Sequence, residues 1–368
     1  MPRERIHNFN AGPAALPESV LRVAQDELLN YKQTGMSIME HSHRGNSYEQ
    51  VHEEAKTLIK ELMNIDDRYE VLFLQGGASH QFAMIPYNFL KRGTRANYVL
   101  TGSWSEKAKK EANYIGQTYS GASSKADHYT YIPAFDTIKT SKDDAYVHLT
   151  SNNTIYGTAW KDYEPLKEWN APVFADMSSD IFSRPIPVDH FDLIYAGAQK
   201  NLGPSGVTVV IVKRDLVERF TEHAEQLPAI MRYQTHIEGN SLYNTPPTFA
   251  IYMMKTVLTW IKEQGGLEEM KRRNEQKAAL LYHAIDESNG FYKGHSDNAS
   301  RSLMNVTWML PTEELTKQFL TEASEKLFSG LNGHRSVGGV RASIYNAVPM
   351  ESCEVLQNFM DEFAKKHR

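Results

Sequence analysis

Lys200 stands where a lysine can do chemistry. Asp192 to Ala196 is a short apolar run with the length of a buried strand, and it is followed by the small residues Gly197 and Ala198. Lys200 comes next, and Asn201, Gly203 and Pro204 turn the chain. An ammonium at a buried strand end is costly, so its pKa tends to fall. A neutral amine is a nucleophile that can form an imine with an aldehyde. On its own, such a lysine could equally reach out to water or pair with a carboxylate.

Four other stretches bear on that choice. Gly76-Gly77-Ala78-Ser79-His80 follows an apolar run and opens a helical pattern. Unpaired amides and the helix dipole at such a turn suit a phosphate, although a tight turn with no ligand fits as well. Trp104, in GSWSEKA, lies where another run meets a loop. It could pack in a core or stack on a flat ligand. Thr154, in TSNNTIYGT, offers a hydroxyl, and Asp176 ends the run Val173 to Ala175. Aspartate there could cap a turn or face a cation. The glycine turn is neither a Walker sequence nor GxGxxG, which weighs against nucleoside triphosphates and dinucleotides.

The elements that would position these residues follow from the apolar pattern. Strands are expected at Tyr69 to Leu74, Ala96 to Leu100, Ala145 to Leu149, Val173 to Ala175, Asp192 to Ala196 and Gly206 to Val212. They alternate with helical patterns, which predicts a mostly parallel sheet wound with helices on both faces. Ligands of such sheets bind beyond the strand carboxyl ends, where Gly77, Trp104, Thr154, Asp176 and Lys200 all fall. Helices are expected at Pro17 to Lys32, Ser47 to Met63, Pro246 to Gly265, Leu267 to Ser288, Thr312 to Phe328 and Met350 to His367, and further strands at Ser302 to Met309 and Val340 to Tyr345. The expected organisation is an arm over 1–15, a large α/β domain over 16–265 and a smaller α+β domain over 266–368.

Composition narrows the class further. The chain has 368 residues, ordinary hydrophobic content and a formal charge of −5, with no basic stripe for nucleic acid. No apolar run approaches the ~20 residues of a membrane span, and the N-terminal residues lack a signal-peptide core. Cys353 is the single cysteine, so no internal disulfide or cysteine-rich metal site is expected. These features predict a cytoplasmic protein that binds neither membrane nor metal.

Taken together, the stretches match the needs of pyridoxal 5'-phosphate. That cofactor requires an amine for its aldehyde, an anion near its ring nitrogen, an anion cradle for its phosphate and a flat partner for its ring. Lys200, Asp176, the Gly77-Ala78-Ser79 turn and Trp104 can supply these in that order. Thr154 could face the ring hydroxyl or the phosphate.

The strings NFNAGPAALP, SHRG, QGGAS, GSWS, NNTIYGT, ADMSSD, YAGAQKNLGPSG, YNTPPTF and GHRSVGGVRASIYNA extend from residue 8 to 347. With them the chain resembles the phosphoserine aminotransferase family, within the class V, fold-type I pyridoxal-phosphate enzymes. The resemblance implies a mostly parallel seven-stranded sheet flanked by helices. It implies that Lys200 is the Schiff-base lysine, Asp176 the partner of the pyridine nitrogen and Trp104 the stacking ring. Thr154 and Gln199 would contact the cofactor, and Ala78 and Ser79 its phosphate. Asn244 and Thr245 would reach the phosphate of the neighbouring subunit in a homodimer with shared active sites.

By the same resemblance Arg341 would grip the substrate α-carboxylate, and His43, Arg44, His334 and Arg335 would bind the distal anion. Many relatives carry an arginine after QGGA, where this chain has Ser79-His80, so His80 is expected to substitute for that charge. The implied reaction passes the amino group of L-glutamate to 3-phosphohydroxypyruvate, with Lys200 as acid–base group. A second implied role is in pyridoxine synthesis, on 3-hydroxy-2-oxo-4-phosphonooxybutanoate. Other pyridoxal-phosphate enzymes and a non-catalytic binding protein are the alternatives. A desulfurase would need a cysteine on a mobile loop, whereas Cys353 lies in a helical pattern.

Overall fold

The computed structural model describes residues 5–368; the first four residues of the expected arm lie outside them. Seven strands form the main sheet: β1 (Tyr69–Leu74), β2 (Arg95–Leu100), β3 (Gln117–Ser123), β4 (Asp144–Thr150), β5 (Val173–Asp176), β6 (Leu193–Gly197) and β7 (Thr208–Lys213). Their order across the sheet is β1-β7-β6-β5-β4-β2-β3. The pairs from β6 through β3 are parallel, and β7 runs antiparallel to both β6 and β1. Six strands therefore end at the same edge, where β7 begins.

Alternation within each strand builds two cores. Val71, Val147, Leu149, Val173, Ala175, Ile194, Val209 and Ile211 face one side. Leu72, Tyr146, Phe174, Leu193, Tyr195, Val210 and Val212 face the other. Both faces are covered, which is why these strands read as continuous apolar runs. Helix α1 (Glu18–Glu27), α2 (Asn46–Met63) and α5 (Thr248–Glu263) contribute to the first layer, α3 (Gly77–Phe89) and α4 (Ser103–Asn113) to the second. Val51, Ala55 and Ile59 form the buried stripe of α2, which ends at Asn64 in the left-handed region (φ 53).

The C-terminal part packs α6 (Gly266–Asp286), α7 (Glu313–Glu325) and α8 (Met350–His367) on a three-stranded antiparallel sheet. That sheet comprises β8 (Lys293–Gly294), β9 (Asn305–Met309) and β10 (Val340–Ser343), in that order. The arm joins this part: His7 and Asn8 pair in parallel with Phe328 and Ser329, and Phe9 is buried in the same core.

Three expectations about local structure change. The strand–helix alternation holds only as far as β3. The links from β3 to β4, β4 to β5 and β5 to β6 contain 3-10 turns and a two-stranded hairpin, Asn152–Asn153 with Thr158–Ala159, instead of α-helices. The pattern did not foretell β3, because the edge strand QTYSGAS is polar and only Gly121 is buried. The first helix stops at Glu27, and a separate turn over Tyr31–Gln33, with Lys32 at φ 44, breaks the expected run to Lys32.

Candidate active site

The shared strand edge opens into a cavity of about 320 Å³ lined by Gly76, Gly77, Ala78, Ser79, Trp104, Asp176, Gln199 and Lys200. They arrive by four strands, β1, β2, β5 and β6. Gly76 (φ +87) and Gly77 (φ +65) take backbone conformations that favour glycine, turning the chain from β1 into the thirteen-residue α3. The first-turn amides of α3 are thereby presented to the cavity with the positive end of the helix dipole. Trp104 lies in the first turn of α4, and Asp176 is the last residue of β5.

Lys200 reaches the cavity from the turn after β6. Its Nζ donates to Thr154 Oγ1 at 2.7 Å and lies 5.6 Å from the Trp104 ring centroid. Burial pulls its pKa down to about 8, against the opposing pull of Asp176; Arg341 adds to the lowering. Asp176 is buried, and burial raises its carboxyl pKa, although the Ser178 amide donates to Oδ1 at 2.9 Å. Behind it Asp180, bonded to the Ser151 hydroxyl, is pushed up by burial to about 6.

The donor set fits pyridoxal phosphate. Asp176 is a buried carboxyl with Lys200 as its neighbouring cation, so a protonated ring nitrogen would give it a counter-charge at close range. The Trp104 Nε1 and the Thr150 hydroxyl are buried with no partner among the described residues, as expected beside a polar ligand. Gly12 approaches so closely that a Cβ there would lie 3.1 Å from Lys200 Cγ.

Arg341 joins the site through its Nη1, which donates to the Thr154 carbonyl at 3.4 Å, while its buried Nε has no partner among the described residues. His334 lies beside it, its pKa lowered by burial and by Arg341, Arg335 and Lys107. Lys107 covers the Trp104 ring at 4.2 Å and adds a cation that sequence reasoning did not single out. Its spacing from Trp104, three residues along a helix, was the available signal. Gly12, Asn152, Ser178 and Ser179 also line the cavity unannounced; they come from an arm and from turns without an apolar period.

Other expected residues are placed elsewhere in this chain. His43, Arg44, Asn244 and Thr245 do not line the cavity; Arg44, Asn244 and Thr245 are exposed, and the Thr245 carbonyl accepts from Gln75. His80 corrects the expectation made for it. Its Nδ1 donates back to the Gln75 carbonyl at 3.1 Å and its Nε2 faces the Met231 sulfur at 3.3 Å, which turns the ring away from the cavity. A larger cavity, about 560 Å³, opens among Tyr129, Tyr156, Lys293 and His295. Its lysines, Lys125 and Lys293, are exposed, and Lys125 is paired with Glu106, so neither is a buried amine like Lys200.

The family model described as Aminotransferase class-V matches residues 6–356. The chain belongs to the class V aminotransferases. A phosphoserine aminotransferase of Halalkalibacterium halodurans is 61% identical over 99% of this chain and 100% of its own. The solved phosphoserine aminotransferase of Bacillus circulans subsp. alkalophilus superposes with TM-score 0.95 at 55% identity, each chain covered completely. A pyridoxal-phosphate-bound phosphoserine aminotransferase of Trichomonas vaginalis gives 0.88 at 37% identity, covering 97% of this chain and 99% of that one. As a class V aminotransferase, the chain has Lys200, Asp176 and the Gly76-Gly77 turn at the carboxyl edge of a seven-stranded sheet.

Proposed function

We propose that this chain is a phosphoserine aminotransferase. It passes the amino group of L-glutamate to 3-phosphohydroxypyruvate in serine biosynthesis, using pyridoxal 5'-phosphate. The observation that carries this is the Lys200 amine, lowered toward neutrality between the Trp104 face, the Thr154 hydroxyl and the buried Asp176. Pyridoxal phosphate, when bound, supplies an aldehyde that condenses with amines and a ring that withdraws electrons from the substrate Cα.

The chain's residues divide the rest of the work. Gly77, Ala78 and Ser79 hold the cofactor phosphate through amides at the α3 N-terminus. Asp176 keeps positive charge at the ring nitrogen, and Trp104 stacks on the ring with Gln199 and Thr154 beside it. Lys200 Nζ, neutral beside the substrate, takes the proton from the Cα of the amino donor, and in the reverse half of the exchange the protonated amine gives a proton to the Cα of the acceptor. Arg341 binds the α-carboxylate through a planar fork, and His334 and Arg335 bind the distal carboxylate or phosphate. The donor leaves as a keto acid before the acceptor enters, so one cationic pocket serves both anions in turn.

We propose a homodimer, in which His43, Arg44, Asn244 and Thr245 complete the partner's site. Exposed apolar side chains on the same segments support this: Leu29 is 84% exposed, Met39 51% and Tyr243 49%. The arm–large–small division at residues 15 and 265 is proposed on the separate cores and on Gly265-Gly266 (φ +105 and +73) between α5 and α6. Leu267 and Met270 still pack with the large sheet. Among the described residues no helix is long and apolar enough to cross a membrane, and the one thiol is buried; a cytoplasmic location is proposed on these grounds.

The deciding experiment offers glutamate with 3-phosphohydroxypyruvate, and separately with 3-hydroxy-2-oxo-4-phosphonooxybutanoate. Release of 2-oxoglutarate with the first acceptor is expected, and transfer to the second would extend the role to pyridoxine synthesis. Protein that binds the cofactor yet releases no 2-oxoglutarate would be a binding protein instead.

A further inference from the structure

Lys277, on α6, is a buried lysine outside the cavity. Its Nζ donates to the carbonyls of Ile344 at 2.9 Å, Tyr345 at 2.7 Å and Val348 at 3.2 Å. All three ammonium hydrogens are thus spent on one turn of chain that follows β10. Burial lowers the Lys277 pKa to about 8. An apolar side chain of similar length would avoid that desolvation but would take the donor from all three carbonyls, so the amine fixes the geometry of the turn.

The clamped turn reaches Lys200 by two routes. The Asn346 amide donates to Asn201 Oδ1 at 2.8 Å, on the residue next to Lys200. The Tyr345 hydroxyl donates to the Ala11 carbonyl at 2.8 Å, on the residue before Gly12, which packs against the Lys200 stem. Three residues upstream of Ile344, on β10, stands Arg341. The clamp therefore sits between the two groups that must meet one substrate, the proton-moving amine and the carboxylate-binding guanidinium.

We propose that Lys277 is a positioning residue that sets the Arg341–Lys200 relation by clamping the 344–348 turn. The inference rests on the aminotransferase reading above. The glycine turn and Trp104 open α3 and α4 and Asp176 ends β5, so none of them is held by this clamp.

The test compares Lys277→Met, Lys277→Arg and wild type, with Phe359→Leu as a variant that loosens the same C-terminal core away from the clamp. Misplacement of a reacting group by a fraction of an ångström lowers kcat/KM substantially, so Lys277→Met is expected to lose about tenfold or more. Titration of the apo protein with pyridoxal phosphate should give an unchanged Kd. Titration of the loaded protein with glutarate, a dicarboxylate that cannot react, should give binding weaker by a similar factor. Lys277→Arg should recover part of both losses, and Phe359→Leu should show neither.

Unchanged kcat/KM and glutarate binding in Lys277→Met would overturn the proposal, as would equal losses in Phe359→Leu. If Lys277→Met does not fold, Asn201→Ala removes one arm of the link, and full activity with full glutarate affinity there refutes it. Inactive wild type would count against the aminotransferase reading. Glutarate binding would then decide the clamp by itself.

Discussion

Lys200 and Trp104 face each other in the cavity, with the amine over the indole at 5.6 Å from its centroid. That distance is within the ~6 Å of a cation–π contact, so the amine and the indole face border the same space. A flat ligand can lie on the indole while its edge meets the amine. The arrangement makes Lys200 the residue on which transfer depends. Lys200→Ala is expected to lose at least the 10²–10⁴-fold typical of acid–base groups, and borohydride reduction of loaded wild type should label Lys200. A label on another lysine would count against the assignment.

The reactivity of that amine should follow pH. With a folded pKa of about 8 against an ordinary 10.5, Lys200 is protonated below 8 and neutral above it. Covalent capture of pyridoxal phosphate by the apo protein is expected to rise with pH up to about 8 and then level off, falling about tenfold per unit below that. Stopped-flow absorbance would show it; a rise continuing toward 10.5 would mean the amine is not perturbed. The stability sign is separate. Between 8 and 10.5 the unfolded chain holds a proton the folded chain has released, so this lysine makes stability rise with pH across that window.

Trp104→Ala should weaken cofactor binding by roughly the 0.5–1.5 kcal/mol of a stacked ring plus lost burial, while Trp104→Phe should retain most of it. Equilibrium titration of the apo variants measures both. Affinity unchanged in Trp104→Ala would place the cofactor ring elsewhere.

Gly12→Ala tests the arm. The position has φ +141 and a Cβ there would meet Lys200 Cγ at 3.1 Å. Strain of order 1–3 kcal/mol is expected, shared between the arm and the lysine stem. Slower capture of pyridoxal phosphate with a modest fall in Tm should be seen. A variant that matches wild type in both would show that the arm is free to move aside.

Acid should unfold the protein through its buried histidines. His148 Nε2 and the Tyr195 hydroxyl share a hydrogen bond of 2.8 Å, and burial lowers the His148 pKa to about 3; burial lowers His52 to about 4. Because the folded values lie below the ordinary 6.5, the unfolded chain takes up protons first as pH falls. Each histidine then removes up to about 1.4 kcal/mol per pH unit between 6.5 and its folded value. The Tm of His148→Gln should fall less steeply than that of wild type from pH 6 to 4, whatever its value at pH 7.

Local chemistry made most of the fold and part of the site legible in the chain itself. Continuous apolar runs marked every strand buried on both faces, from Tyr69–Leu74 to Thr208–Lys213, because two covered faces leave no polar positions. Gly76-Gly77 and the Lys200 turn declared themselves because φ above zero and a buried amine are demanding at the level of single residues. The edge strand Gln117–Ser123 and the ring direction of His80 were not legible. The first has neighbours on one side only, and the second depends on Met231, which is 151 residues away. Tertiary structure alone decided that Gly12 touches Lys200, that Arg341 reaches Thr154, and that Lys277 holds the turn between them. Such contacts join distant segments, 68 residues apart for Lys277 and Tyr345 and 187 for Arg341 and Thr154, and a periodicity records which face of an element is buried, not which distant segment covers it.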